Sequence, residues 1–187
     1  MTNINEAKVL IVATNGFQED ELFSPHEYLS KEGAKVHLAS LKMDEISAGK
    51  EDSRSIKPDL LIKDAKSKDY DALILPGGLG NPDTLRTESA VKSLVRNFAD
   101  EGKVIAAICH APWVLISAGI VEGREMTSYP SIQDDLRNAG ANWVDKEVAV
   151  SNGIITSRSP EDLEAFNAKI VEEIREGRHD RSSIQAA

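Results

Sequence analysis

Lys8–Ala13 reads KVLIVA, one lysine followed by an unbroken apolar, β-branched-rich run. A strand with one face in water would alternate polar and apolar residues, so this run reads as a strand covered on both faces, as in a parallel sheet. Comparable runs follow at Lys35–Ser40 (KVHLAS), Ala72–Leu75 (ALIL) and Val104–Ile108 (VIAAI). Stretches of helical pattern separate them, and that alternation predicts an α/β fold with a mostly parallel central sheet.

The predicted helices cover Asp20–Glu32, Glu88–Glu101, Pro112–Ala118, Ser131–Ala139 and Pro160–Glu176. Gly33, Gly102, Gly119 and Gly140 follow four of them, where helices commonly turn into αL. Val91, Leu94, Val95 and Phe98 form one stripe of the second, and Leu163, Phe166, Ile170 and Ile174 repeat the pattern in the last. Ile46–Ala65 holds Gly49, Pro58 and the charged run Lys50–Arg54, and reads as a hairpin excursion or an edge strand. Asn152-Gly153 between two β-rich runs predicts a two-residue hairpin. One domain is expected over residues 1–187, with a core from about 8 to 176 and a polar tail, Gly177–Ala187, that frays.

The 187 residues carry 22 Lys plus Arg against 31 Asp plus Glu, a net charge of −9. That sign is wrong for a phosphate-binding surface, so nucleic acid is not the expected partner. Cys109 is the single cysteine, which excludes an intrachain disulfide and a multi-cysteine zinc site and fits a reducing cytoplasm. The apolar run Val9–Ala13 is too short for a signal-peptide core, and no stretch approaches the roughly 20 residues of a membrane span. A soluble, cytoplasmic protein with no membrane partner is expected.

Ligands of open α/β sheets bind at the carboxyl ends of the strands. Three exits stand out: Asn15–Glu21, Pro76–Asp83 and Cys109-His110. Cys109, last before a helix that Pro112 helps to start, sits where a nucleophile elbow would place it, with the positive helix end favouring thiolate. Free cysteine is also among the most buried residue types, so position rather than identity singles it out. His110 need not face its neighbour, since adjacent residues on a turn usually diverge, but its backbone N–H is free to hold an oxyanion. Glu19, Asp20 and Glu21 suit a helix N-terminus, and one of them can also reach Cys109 if the two strands are neighbours. The glycine-dense Leu75–Gly80 matches neither nucleotide-binding motif, and Gly77 and Gly78 can equally bring backbone N–H groups to a ligand. No cluster of His, Cys or carboxylates shows metal-ligand spacing, and His26, His37 and His179 read as packed or surface residues.

AAICHAPWVLISAG (Ala106–Gly119), DALILPGG (Asp71–Gly78) and TSYPSIQDDLRNAGANWVDKEV (Thr127–Val148) resemble the PfpI intracellular-protease family. That family lies in the class I glutamine amidotransferase-like superfamily that includes the parkinsonism-associated protein deglycase. The resemblance runs from about Lys8 to Ile174 and implies a flavodoxin-like, three-layer αβα sandwich. It implies Cys109 as nucleophile beside His110, and Glu21 as the acid that hydrogen-bonds the sulfur. Gly78 and His110 would supply oxyanion N–H groups, and Tyr129 would reach into the pocket, which Trp113 either lines or merely packs beside. In this branch a carboxylate from a neighbouring subunit orients the histidine, and Asp83 stands at that position, where the family usually has Glu. The chain also departs from the family in having Ala111 where ICHGP is common, a methyl expected to narrow the pocket.

The implied activity is a cofactor-free, metal-free cysteine hydrolase in stress response. Its substrate would be a peptide, a glycated protein or a small aldehyde such as methylglyoxal, and its partner a second copy of itself, as a homodimer or higher oligomer. Two other readings stay open: a non-enzymatic redox sensor or chaperone with an oxidisable cysteine, and a flavin- or nucleotide-binding module using Gly77–Gly80.

Overall fold

The computed structural model describes residues 2–50 and 53–181. In chain order the elements are β1 (Lys8–Val12), α1 (Glu19–Lys31), β2 (Lys35–Ser40), β3 (Ile46–Ser47), β4 (Ser55–Ile56), β5 (Leu60–Leu61), β6 (Ala72–Leu75), α2 (Gly80–Leu85) and α3 (Ser89–Asp100). They continue as β7 (Val104–Ile108), α4 (Pro112–Ala118), β8 (Glu125–Met126), α5 (Gln133–Asn138), β9 (Asn142–Trp143), β10 (Ala149–Ser151), β11 (Ile154–Ser157) and α6 (Leu163–Glu176). Seven of the strands form one sheet in the order β10-β11-β7-β6-β1-β2-β5, parallel throughout except for the β10–β11 hairpin.

Alternation along the central strands sorts their side chains onto two faces. Val9 and Ile11 of β1, Ala72 and Ile74 of β6, and Val104, Ala106 and Ile108 of β7 join Leu22 of α1 and Phe166 and Ile170 of α6 in one core. Leu10 and Val12, Leu73 and Leu75, and Ile105 and Ala107 face the other way, against Val95 and Phe98 of α3, Leu115 of α4 and Leu136 of α5. The result is the expected α/β sandwich of flavodoxin-like type, and no helix among the described residues is long and apolar enough to cross a membrane.

The excursion between Ile46 and Ala65 holds both alternatives read from it. β3 and β4 pair as an antiparallel hairpin, and β5 is the edge strand beside β2. Asn152 and Gly153 both have positive φ, 54° and 76°, and make the predicted two-residue turn.

The frayed tail is corrected for Gly177–Arg181. Arg181 is buried and donates to the carbonyls of Asn152, Phe98, Ala99 and Lys103 at 2.7–3.3 Å. His179 N–H donates to the Gly102 carbonyl at 2.8 Å. A polar composition concealed a guanidinium that binds backbone acceptors at the end of α3 and just before β7 and β11. Residues 182–187 lie outside the described residues.

Candidate active site

β6 lies between β1 and β7, so the three exits singled out by sequence open side by side. β2 and β6 flank β1 on opposite sides, which makes this the topological switch point where such sheets bind ligands. Glu21 and Cys109 therefore do not come from neighbouring strands, as the sequence reading required. The acid reaches across the exit of β6, and Gly77 makes that possible. A Cβ on Gly77 would lie 2.5 Å from Glu21 Oε2 and 2.7 Å from Cys109 Cβ. Gly78, at φ 83°, is wedged against Gly16 and Gln18, so neither position tolerates a side chain.

Cys109 has φ 64°; among the described residues the other non-glycine with positive φ is Asn152, a residue type suited to turns. The strained cysteine is held by its own backbone. Its N–H donates to Ser157 O at 3.0 Å, and its carbonyl accepts from Tyr129 N–H at 2.9 Å. α4 then starts at Pro112, as predicted. This conformation is the elbow, and it turns His110 toward the sulfur: Nδ1 lies 3.2 Å from Cys109 Sγ, contrary to the expected divergence.

Glu21 is wholly buried, and its Oε2 accepts from Gly77 N–H at 2.8 Å. Its Oε1 has no hydrogen-bond partner. Burial pushes the carboxyl up to about 8, against the pull of the Gly77 N–H and the Cys109 thiol. Burial and then the Glu21 charge push the Cys109 thiol up to about 12, although the N–H groups of Gly78 and His110 both favour its anion. The thiolate expected from a helix N-terminus is therefore not the resting form. The helix end acts on the sulfur, but burial and the adjacent acid outweigh it, and the pair titrates as a unit. Glu19 and Asp20 are not at the sulfur; Glu19 Oε2 instead accepts from Arg54 N–H at 3.1 Å.

His110 sits between two aromatic rings. Tyr129 stacks on it with centroids 4.9 Å apart and 24° between planes, and Trp113 meets it edge-on at 5.2 Å. Trp113 thus both packs and lines the site, anchored by Nε1–H to Asp135 Oδ2 at 2.7 Å. His110 Nε2 lies 3.1 Å from Ser131 Oγ, a residue the sequence reading passed over. Its signal was faint: a serine two residues after Tyr129 in the same turn. Ala111 is fully buried in the core below α4, so its methyl does not narrow the site.

Asp83 lies on α2, exposed, and forms no hydrogen bond with Cys109 or His110 within the chain. Leu79, one turn before it, is 64% exposed. A cleft of about 620 Å³ lined by Phe17, Gln18, Gly49, Gly78 and Leu79 runs beside the elbow.

The sequence profile of the DJ-1/PfpI family matches residues 7–173. The chain belongs to the DJ-1/PfpI family. A Pyrococcus horikoshii protein named a deglycase is 43% identical over 164 residues, 88% of this chain and 97% of its own length. The Escherichia coli protein named protein/nucleic acid deglycase 2 is 37% identical over 161 residues, 86% of this chain and 93% of its own. Among solved structures, that of Drosophila melanogaster DJ-1beta superposes with a TM-score of 0.83 at 32% identity, covering 91% of this chain and 95% of the fly protein.

Proposed function

We propose that the chain is a cysteine-dependent enzyme of the deglycase or glyoxalase kind, acting on small dicarbonyls and on the adducts they form with proteins. The observation that carries this is the Glu21 carboxyl, which reaches past a side-chain-free Gly77 to a strained Cys109 whose sulfur also faces the Gly78 and His110 N–H groups.

Loss of one proton from the Glu21–Cys109 pair leaves the Glu21 carboxylate beside the Cys109 thiol, since the acid ionises near 8 and the thiol near 12, and Glu21 takes the thiol proton as the sulfur attacks. With methylglyoxal, the sulfur electron pair forms a C–S bond to the aldehyde carbon. The carbonyl oxygen collects charge against the N–H groups of Gly78 and His110 and takes the Glu21 proton. Glu21 carboxylate then removes the proton from that carbon, the hydroxyl proton passes to the neighbouring oxygen, and His110 assists return of the first proton at the neighbouring carbon, giving a thioester. Water hydrolyses the thioester, releasing lactate and the thiol. One carbon is oxidised as its neighbour is reduced, so no external redox partner is consumed. Cys109 is only 7% exposed, beside the His110–Tyr129 stack, which favours a small aldehyde over a peptide chain.

Incubation with methylglyoxal, with a glycated peptide and with a fluorogenic peptide ranks the substrates. Turnover of the first two that disappears in Cys109→Ala is the expected result. Activity that survives in this variant overturns the nucleophile assignment. No turnover by the parent chain, with two oxygens gained at Cys109 under mild peroxide, favours the sensor reading.

Self-association through the α2 region belongs to the same proposal, supported by the exposed Leu79 beside Asp83. Within one chain it is Ser131 that meets His110 Nε2, so Asp83 of a second copy would act on that histidine from outside. Mixing Asp83→Ala with Cys109→Ser chains should restore part of the activity. No recovery despite proven subunit exchange rejects the shared site.

A further inference from the structure

A second convergence of chemical groups lies at the opposite end of the sheet from Cys109. Glu173 and Glu176 stand one turn apart on the last stretch of α6, on one helix face. Beyond the helix end at Gly177 the chain doubles back, and the His179 N–H to Gly102 carbonyl bond fixes where its imidazole falls. One ligand-type atom from each of Glu173, Glu176 and His179 lies within 4.8 Å of the other two. We propose that these three residues form a divalent-cation site of the zinc class, which clips the segment after α6 onto the body of the protein.

The first argument is the state of His179 Nε2. It is closed off from solvent and makes no hydrogen bond, although Glu173 Oε2 is only 3.3 Å away. A nitrogen and a carboxylate oxygen this close normally settle into an N–H···O bond. Side chains sharing a cation do not, because their lone pairs converge on a common point rather than on each other. The second argument is the separation itself. Zinc–nitrogen and zinc–oxygen bonds of about 2.0–2.2 Å at a tetrahedral angle put the two ligand atoms about 3.4 Å apart. The observed 3.3 Å matches that spacing.

The third argument is charge. The Glu173 side chain is 8% exposed, and a carboxylate so buried needs a partner. The charges of Lys169 and, less strongly, Arg181 reach Glu173. Lys169 Nζ, however, is bonded to Glu172 Oε2 at 2.6 Å, and the Arg181 guanidinium is committed to the carbonyls of Asn152, Phe98, Ala99 and Lys103, so neither cation is bonded to the Glu173 carboxylate. Glu176 is exposed, which gives an ion a way in and leaves the fourth position to water. The pattern E-x-x-E-x-x-H corrects the expectation that no cluster with ligand spacing exists. Its last member lies past a helix end, where periodicity no longer tells where a side chain goes.

The test uses the full chain carrying Cys109→Ala, so that the thiol cannot bind metal, stripped with chelator and titrated with Zn²⁺ in competition with a chromogenic chelator. One zinc per chain is expected, with affinity at least about ten-fold weaker after Glu176→Gln. That substitution is at an exposed position, and its unchanged melting temperature without zinc will show that the fold is intact. Zinc should raise the melting temperature of the parent chain more than that of the variant. Absence of binding in the parent, or equal affinities in parent and variant, overturns the site.

Discussion

At the carboxyl end of the sheet, Glu21 is buried with no cation among its partners and has only the Gly77 N–H and the Cys109 thiol to favour its charge. At the amino end, Arg181 is buried too, though less completely, but gives its donors to four backbone carbonyls. The two lie about 20 Å apart along β7, by the rise of a strand. Arg181 is a compensated charge, and what it stabilises is the fold. Glu21 is uncompensated, so burial holds a proton on it near neutrality, and what it can do is exchange that proton with a sulfur. Burial of a charged side chain thus marks a structural group at one end and, in the proposed function, a reactive one at the other. The difference lies in whether hydrogen-bond partners remain to be found, as Glu21 Oε1 shows.

The largest expected effect comes from filling the gap that Glu21 crosses. Gly77→Ala would place a methyl carbon within 2.7 Å of both Ile108 O and Cys109 Cβ. Displacing the carboxyl by about 1 Å should cost on the order of 100-fold in kcat/KM, with a stability loss of about 1–3 kcal/mol from overpacking. Steady-state kinetics on whichever substrate is turned over reads this. Full activity in Gly77→Ala would mean that Glu21 does not need to reach the sulfur.

Next is Arg181→Ala, which strands four carbonyls. A loss of about 3 kcal/mol in urea unfolding is expected, with kcat unchanged in the folded variant. A change in kcat would break the division between the two ends.

These two positions also show how legible the molecule was. Lys35–Ser40, Ala72–Leu75, Val104–Ile108 and Pro112–Ala118 have the boundaries that their apolar runs and flanking Pro and Gly indicate. In a parallel sheet the hydrophobic pattern and the element are the same fact. β8 and β9, two residues each, are too short to carry a period, and α2 begins Gly-Asn-Pro, a poor helix signature. At the site, strand exits and resemblance pointed to Glu21, Gly78, Cys109 and His110. Gly77 was read as a possible N–H donor, and its role as a gap needed the strand order. Ser131 and the docked tail were hidden because their partners are distant in sequence, backbone carbonyls in the case of Arg181.

A smaller effect, and a sharper one, concerns the proton on Glu21. An ordinary glutamate ionises near 4.5, whereas Glu21 in the folded chain holds its proton to about 8. Between those values the folded state binds more protons than the unfolded one, so native stability falls as pH rises through that window. The slope approaches about 1.4 kcal/mol per pH unit and vanishes above the upper value. Glu21→Gln removes this contribution. Its stability relative to the parent chain should climb from pH 5 to pH 8 in urea titrations, and a constant difference would show that Glu21 titrates normally. Alkylation of Cys109 supplies the kinetic counterpart. In the parent chain its rate should rise through an apparent pKa near 8, and Glu21→Gln should lose that step.

Ser131→Ala is expected to have the smallest effect, and it tests whether the reactive end has a compensated edge of its own. Ser131 Oγ, 3.1 Å from His110 Nε2, is the imidazole's hydrogen-bond partner on the side away from the sulfur. A neutral bond at a partly exposed position contributes about 1 kcal/mol, which predicts about a five-fold fall in kcat with little change in stability. The two rings flanking His110 hold its plane without the serine, so what the hydroxyl adds is the choice of which nitrogen carries the proton. The loss should therefore shrink only at a pH low enough to protonate both nitrogens, which burial of His110 pushes below the ordinary imidazole range. If it is as large where an NMR titration shows the ring fully protonated as it is at pH 8, Ser131 positions the ring rather than its proton. The reactive end would then depend on Glu21 and Cys109 alone for its proton traffic.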